Sequence, residues 1–489
     1  MSYEEQIRAQ NPWWVTSTWS DPDLRALDRA AFRWEPPALA AIPMKFGAVH
    51  TLRGPRQVGK TTTVKRLIRR LLGAGAQRVL YYSFDLHEEY QAIPEVITAA
   101  KQLRRDSQGP WYLFLDEVTS VREWQRGLKY AWDRGMIRED CTLVTGSSAH
   151  DVRRGAEQLP GRRGDGDDFL QLPMSFRDFW LAVQPSVQEE PQRIDLPEDT
   201  VIVDEFLTPH GRRVCDALFL RFETLERALL AYQRVGGFPA AVRDYLTQTD
   251  EQVSARTLRL VWNAIAGDIA KAGRDATAAV KLLEATGISL GSPLKWVNAA
   301  DAMGVASQST AKEYMEYLAE SFALLGVYYW DLAGGGLSPR RQRKVYFMDP
   351  LFGLIAPALI PGARRPPDDG VAENLVATAL FRSAARALVQ ADAVPGAVAY
   401  WRSSNDRELD FVVPRTRGKR GHHGRIPIEV KGDAEARISQ ARLAIQRAFG
   451  EGVVVSRTKY AWASDVPTIP LAVFLAALRE VPQREGLLV

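Results

Sequence analysis

Between residues 46 and 146 the chain alternates short apolar runs with amphipathic stretches. Apolar runs at 47–53, 78–85, 111–116 and 141–146 read as strands, and the segments between them read as helices. That alternation predicts an α/β domain with a mainly parallel sheet. Before it, residues 1–45 form a leader rich in Trp and Pro ("NPWWVTSTW", "RWEPPAL") that is expected to lie on this domain. After it, the acidic, Pro-containing segment 184–200 reads as a loop or boundary. Residues 201–275 are mostly of helical period, clearest in "RFETLERALLAYQRV", with a break at "GGFP" (236–239).

Further on, "VNAADAMGVASQSTAKEYMEYLAESFALL" (297–325) has the pattern of a short helix, a Gly-containing turn and a second helix. A β-hairpin with the basic tip "SPRRQRK" (338–344) follows, which would make the unit a winged helix. From 370 onward a helix around Glu373 precedes the apolar runs "AVAYWRS", "ELDFVVP", "IPIEV" and "GVVVSR", a second α/β region. The expected organisation is therefore leader 1–45, α/β core 46–200, helical region 201–275, winged helix-turn-helix 276–350 and C-terminal α/β domain 351–489.

Composition narrows the class. The 489 residues, 46% hydrophobic and 25% charged, are ordinary for a multidomain globular protein. Two cysteines exclude a disulfide framework, and with six histidines at no metal-ligand spacing a zinc site is not expected. A net charge of +4 permits nucleic-acid binding without arguing for it. No run approaches the roughly 18 apolar residues of a membrane span. The charged start lacks an apolar signal region, so a cytoplasmic location with no membrane partner is expected.

Chemistry enters at "GPRQVGKTTT". Gly54 to Thr61 matches G-x-x-x-x-G-K-[ST] between an apolar strand and a helix, the context a phosphate-binding loop requires. The loop Gly54, Pro55, Arg56, Gln57, Val58 and Gly59 would offer backbone N–H groups to an anion at the start of a helix carrying Thr62. Lys60 would reach the terminal phosphates and Thr61 would bind Mg²⁺. The run "WYLFLDEV" ends in Asp116, a second Mg²⁺ ligand, and Glu117, which would polarise the attacking water. Ser147, at the end of "CTLVTGSSA", is a candidate sensor of the γ-phosphate, and Arg162 and Arg163 are candidate arginine fingers. The cofactors expected are ATP and Mg²⁺.

In "IPIEVKGD" alternation puts Glu429 and Lys431 on one face of a strand, and "DRELDFVV" sets Asp410 about twenty residues earlier. Asp410 and Glu429 would hold Mg²⁺, with Glu373 completing the cluster and Lys431 orienting water or stabilising a phosphodiester transition state. The alternative is a solvated strand face with a surface ion pair. In the helix-turn-helix, Ser307, Gln308, Ser309 and Lys312 would enter DNA, and Arg340, Arg341, Arg343 and Lys344 would touch phosphates from the wing.

Together "LRGPRQVGKTT", "LFLDEV…W", "LVTGSSA", "LPGR", "SFRDF", "GGFP" and "YWRSSNDRELDFVV…IPIEVK" resemble a group of prokaryotic AAA+-type ATPases. Those proteins carry a P-loop domain, a helical lid, a winged helix and a C-terminal domain similar to PD-(D/E)XK nucleases. The resemblance implies Mg²⁺-dependent ATP hydrolysis and ring-like homo-oligomers (hexamers among them), and it sharpens the chemistry more than the biology. From the helix-turn-helix and the acidic strand residues, the expected function is ATP-driven action on duplex or branched DNA in repair, recombination or defence. All three core nuclease residues are present, so the resemblance carries no sign of a dead site. The competing expectation is a nucleotide-controlled regulatory switch that binds DNA or protein without translocating or cutting.

Overall fold

In the computed structural model, strand β1 (Ala48–Arg53) joins β2 (Val79–Ser83), β3 (Tyr112–Asp116), β4 (Cys141–Thr145) and β5 (Asp168–Leu170) in a parallel sheet of order β2-β3-β4-β1-β5, lying between β4 and β5. The structure describes residues 2–16, 19–104, 109–146, 159, 161–183, 200–248, 252–332, 334–338, 341–383, 398–403, 408–415, 424–463 and 465–479. It divides into two compact units, residues 1–172 with 482–489, and 173–481. The four strands expected from the apolar runs are all present. Strand β5, only three residues long, falls below what an apolar pattern reveals.

Both faces of this sheet are covered, which is why its strands are apolar throughout rather than alternating. Phe114 points to one face with Leu52 and Leu143, against Val64, Leu67 and Ile68 of helix Lys60–Gly73. Its neighbours Leu113 and Leu115 point to the other, against Ile93, Val96, Ile97 and Leu128 of helices Ala92–Leu103 and Trp124–Asp133. Each such buried side chain contributes roughly 1.5–3 kcal/mol.

The leader closes an exposed edge. Strand β2 is the last of the sheet on its side, and an unpaired strand edge is a template for unwanted pairing. The Asn11 amide donates to the Tyr81 carbonyl at 2.8 Å and accepts from the Tyr81 N–H at 2.8 Å, while Gln10 accepts from the Ser83 N–H at 2.8 Å. The indoles of Trp13 and Trp14 both donate to the Val79 carbonyl, at 3.1 and 2.9 Å. Polar atoms of "QNPWW" thus stand in for a sixth strand.

In the second unit, helices Pro209–Phe219, Phe222–Val235, Pro239–Thr247 and Ala255–Lys271 precede Ala276–Ile288, Trp296–Met303 and Gln308–Glu320. An eight-stranded mixed sheet follows, built from β6 (Leu324–Asp331), β7 (Gly336–Ser338), β8 (Lys344–Phe347), β9 (Ala399–Arg402), β10 (Glu408–Pro414), β11 (Arg425–Lys431), β12 (Val453–Ser456) and β13 (Thr468–Pro470). β6 pairs antiparallel with both β7 and β8, along different halves of its length, and parallel with β9. The hairpin and the C-terminal strands, read from the sequence as separate domains, therefore share one sheet. No described helix is long and apolar enough to cross a membrane.

The "GGFP" turn is organised by a buried carboxylate. Asp349 accepts the Gly237 N–H at 2.8 Å and the Leu351 N–H at 2.9 Å. Burial outweighs these bonds and pushes its carboxyl up to about 6. An acid raised in the folded state binds more protons there than in the unfolded chain. Its contribution to stability is present at low pH and is lost as pH rises from about 4 through the raised value. Asp349→Asn removes the titration but turns an amide NH₂ toward one of two N–H donors, at a cost of about 1–3 kcal/mol. The stability gap between wild type and variant, measured by urea unfolding, should narrow between about pH 4 and pH 7. A gap independent of pH would show that Asp349 titrates as an ordinary carboxyl.

Candidate active site

The loop Gly54–Gly59 leaves β1 and turns into helix Lys60–Gly73. Gly59 caps the helix with φ of 90°, a left-handed conformation that side chains disfavour. At Gly54 a Cβ would lie 2.0 Å from the Gln171 carbonyl oxygen, so only glycine fits. Lys60 is buried, its Nζ donating to the Gly54 and Pro55 carbonyls at 3.0 and 2.9 Å. The ammonium is thereby held beneath the loop, as a phosphate-binding lysine requires. Gln171, just past β5, braces the loop from outside the motif. Its Nε2 donates to the Val58 carbonyl at 2.9 Å and its Oε1 accepts from Thr63 at 2.8 Å.

Asp116 ends β3, 1% exposed. The Thr145 hydroxyl, at the end of β4, donates to its Oδ1, the Glu117 N–H reaches the same oxygen at 3.2 Å, and the Tyr81 hydroxyl donates to Oδ2 at 2.9 Å. Burial first and then Asp116 itself raise the Tyr81 hydroxyl far above its ordinary range, keeping it a donor. Glu117 sits at φ of 53°, a left-handed backbone that non-glycine residues rarely adopt. These residues fit a nucleotide with its metal: Lys60 under the loop, Thr61 opening the helix and Asp116 aligned by three donors.

Tyr81, Thr145 and Gln171 were not legible as site residues. Thr145 lies two positions before Ser147, the sensor expected there, which falls outside the described residues. Arg163 makes a bidentate pair with Asp168, at 3.1 and 2.8 Å, which commits its guanidinium within the chain. Arg162 lies nearer the surface, its Nε on Asp133 at 2.9 Å.

In the second unit β10 and β11 bring together Asp410, Glu429 and Lys431, and helix Asp368–Ser383 adds Glu373. The Asp410 N–H donates to Glu429 Oε2 at 2.9 Å, the Val430 N–H to Asp410 Oδ2 at 2.9 Å, and Lys431 Nζ lies 2.6 Å from Glu429 and 3.4 Å from Asp410. Burial and then the Asp410 charge push Glu429 up to about 8. Glu373 is raised by burial and by Asp410. The same cluster contains a residue expected elsewhere. Lys344, read as a wing contact to phosphate, is 0% exposed, and its Nζ lies 2.6 Å from Glu408, 2.9 Å from Glu373 and 3.5 Å from Asp410. That position excludes it from a DNA surface: β8 pairs with β6 and turns it inward.

The carboxylates do not fit a divalent metal. Unlike Asp116, whose hydrogen-bond donors are neutral, they already share two ammonium groups, Lys344 on Glu373 and Asp410 and Lys431 on Asp410 and Glu429, besides backbone N–H groups.

In the helix-turn-helix segment, Gly304 ends the first helix and Ser307 caps the second, its Oγ accepting the Thr310 N–H at 3.2 Å. Ala311, Tyr314, Met315 and Leu318 face inward, while Gln308, Ser309 and Lys312 are exposed. Arg343 stacks on Tyr328 at 4.5 Å and pairs with Glu316 at 3.3 Å, and Arg341 stacks on Tyr329 at 5.1 Å. Arg340 lies outside the described residues.

Residues 47–180 match a family described as an AAA domain, and residues 226–359 match a domain of unknown function. Comparison with curated proteins finds no match. Among solved structures the chain is similar to the Walker-type ATPase PABY2304 of Pyrococcus abyssi, at 14% identity and a TM-score of 0.39, over 63% of this chain and 91% of that one. It is also similar to the Aeropyrum pernix ORC1 protein in complex with DNA, at 14% identity and a TM-score of 0.28, over 76% of this chain and 96% of that one. A third likeness, at 13% identity and a TM-score of 0.23, is to Cdc6p from Pyrobaculum aerophilum, over 71% and 96%. These likenesses are faint; the family match, the strand order and the loop carry the assignment. The first unit holds a P-loop ATPase domain of the AAA type, and the protein is an ATPase.

Proposed function

We propose that this ATPase works on DNA, hydrolysing ATP in its first unit and contacting DNA through a winged helix in its second. The observation that carries the DNA part is the outward face of helix Gln308–Glu320, where Gln308, Ser309 and Lys312 stand exposed over an apolar inner face. Arg341 adds a cation from the hairpin. With Lys344 withdrawn and Arg343 paired, phosphate contact is lighter than a four-cation wing would provide, which suits a protein that grips and releases.

On the nucleotide, Lys60 would draw charge from the phosphates, and Glu117 would take up the proton of the attacking water. Thr61 and Asp116 would hold Mg²⁺, whose chemistry there is neutralisation of phosphate charge. Arg162, the less committed of the two arginines, would serve a neighbouring copy in a ring such as a hexamer. The second reading, a nucleotide-controlled switch that neither translocates nor cuts, is favoured by Lys344 filling the acidic cluster.

The test is ATP turnover by the full chain with no DNA, single strands, plain duplex and a forked junction. Stimulation by one form supports the DNA-dependent machine and identifies its substrate. A slow rate that no DNA changes overturns it in favour of the switch.

A further inference from the structure

Four carboxylates meet in the second unit: Glu373 from helix Asp368–Ser383, Glu408 and Asp410 from β10, and Glu429 from β11. Three are largely shielded from water, and so much like charge requires a cation. We infer that Lys344 is that resident cation, and that the cluster therefore takes no divalent metal and cuts no DNA.

The geometry carries this in three ways. Lys344 Nζ lies between carboxylates of two different elements, 2.6 Å from Glu408, 2.9 Å from Glu373 and 3.5 Å from Asp410. An exposed lysine swings aside for a metal, but this side chain is 0% exposed and starts from a strand paired along its length with β6. The oxygens are also already engaged. Glu373 Oε1 accepts from both Lys344 and the Tyr346 hydroxyl. Asp410 Oδ2 accepts the Val430 N–H and faces Lys431, and Glu429 divides its oxygens between Lys431 and the Asp410 N–H.

Charge is the third. Counted as fully ionised, four carboxylates against Lys344, Lys431 and Arg402, which pairs with Glu408 at 2.5 Å, make −4 and +3, a negative remainder of one charge at most. A divalent ion would overshoot that remainder and sit beside a fixed ammonium in a poorly screened interior, where like charges repel strongly. The occupancy of the cluster is independent of whether the helix-turn-helix binds DNA.

The experiment is a Mn²⁺ titration of the full chain without nucleotide, reading free Mn²⁺ by electron paramagnetic resonance, for wild type, Asp410→Asn, Lys344→Met and the double variant. The expected result is no Mn²⁺ uptake in wild type that Asp410→Asn removes. Lys344→Met should take up one equivalent, and the double variant should lose it. Uptake equal in wild type and Asp410→Asn lies outside the cluster and supports the inference. Uptake by wild type that Asp410→Asn abolishes overturns it, as does Mn²⁺-dependent plasmid nicking with the same dependence. A folded Lys344→Met that binds no Mn²⁺ also overturns it, because the lysine would then not occupy a cation's place. If circular dichroism shows Lys344→Met unfolded, wild type against Asp410→Asn decides in both binding and nicking.

Discussion

Lys60→Ala should lower ATP turnover by about 10²–10³-fold, the loss typical when one preorganised charge donor is removed from a transition state. The ammonium is buried beneath the loop and held by the Gly54 and Pro55 carbonyls at 3.0 and 2.9 Å, so it is in place before substrate arrives. Its removal leaves the other supports of the loop intact, namely the Gly59 cap and the Gln171 brace. The variant should therefore keep its fold, and the loss should appear in turnover rather than in expression or melting. Phosphate release at saturating ATP, alongside circular dichroism, checks this. Lys65→Ala is the matched control: that lysine pairs with Asp21 and Asp23 on the outer face of the same helix and should leave turnover unchanged. Turnover that survives Lys60→Ala would place ATP hydrolysis elsewhere in the chain.

Lys344→Ala should destabilise the second unit by about 3–5 kcal/mol, the range found when one partner of a buried ion pair is deleted. Glu373, Glu408 and Asp410 would lose their shared, fully buried cation. Burial by itself lowers the lysine's pKa, but Asp410, Glu373 and Glu408 outweigh it and hold the ammonium charged far above its ordinary range. Its neighbour Arg343, paired with an exposed Glu316 and stacked on Tyr328, should cost less, about 1–2 kcal/mol, when replaced by Ala. Denaturant unfolding of the two variants compares them directly. Equal small losses would mean that the carboxylates of the cluster do not depend on Lys344.

That contrast shows where one-dimensional reading stops. "PRRQRK" reads as a uniform basic tip, because a run of cations in a hairpin normally faces water. Three residues of the run have separate fates: Arg341 over Tyr329, Arg343 on Glu316, Lys344 inside. The last follows from β8 returning along β6 while β6 also pairs with β9, which draws the hairpin toward β10. No local pattern encodes that adjacency, since Lys344 and Asp410 are 66 positions apart.

Local pattern was enough to read the phosphate loop, Asp116 and Glu117 at the end of their strand, four strands of the first sheet and the helix-Gly-helix before the hairpin. Each depends on local physics: apolar runs that must be buried, glycines where the backbone turns or closes on a neighbour, and a cap at Ser307. The alternation of "IPIEVK" likewise put Glu429 and Lys431 on one face, where they pair at 2.6 Å. Which groups from distant strands share a site follows from the folded arrangement of the strands. That arrangement set Tyr81 and Thr145 on Asp116, Gln171 under the loop and Asn11 along the edge of β2. It also gave the acidic cluster a lysine, because a buried charge is assigned its partner by whichever strands the sheet places side by side.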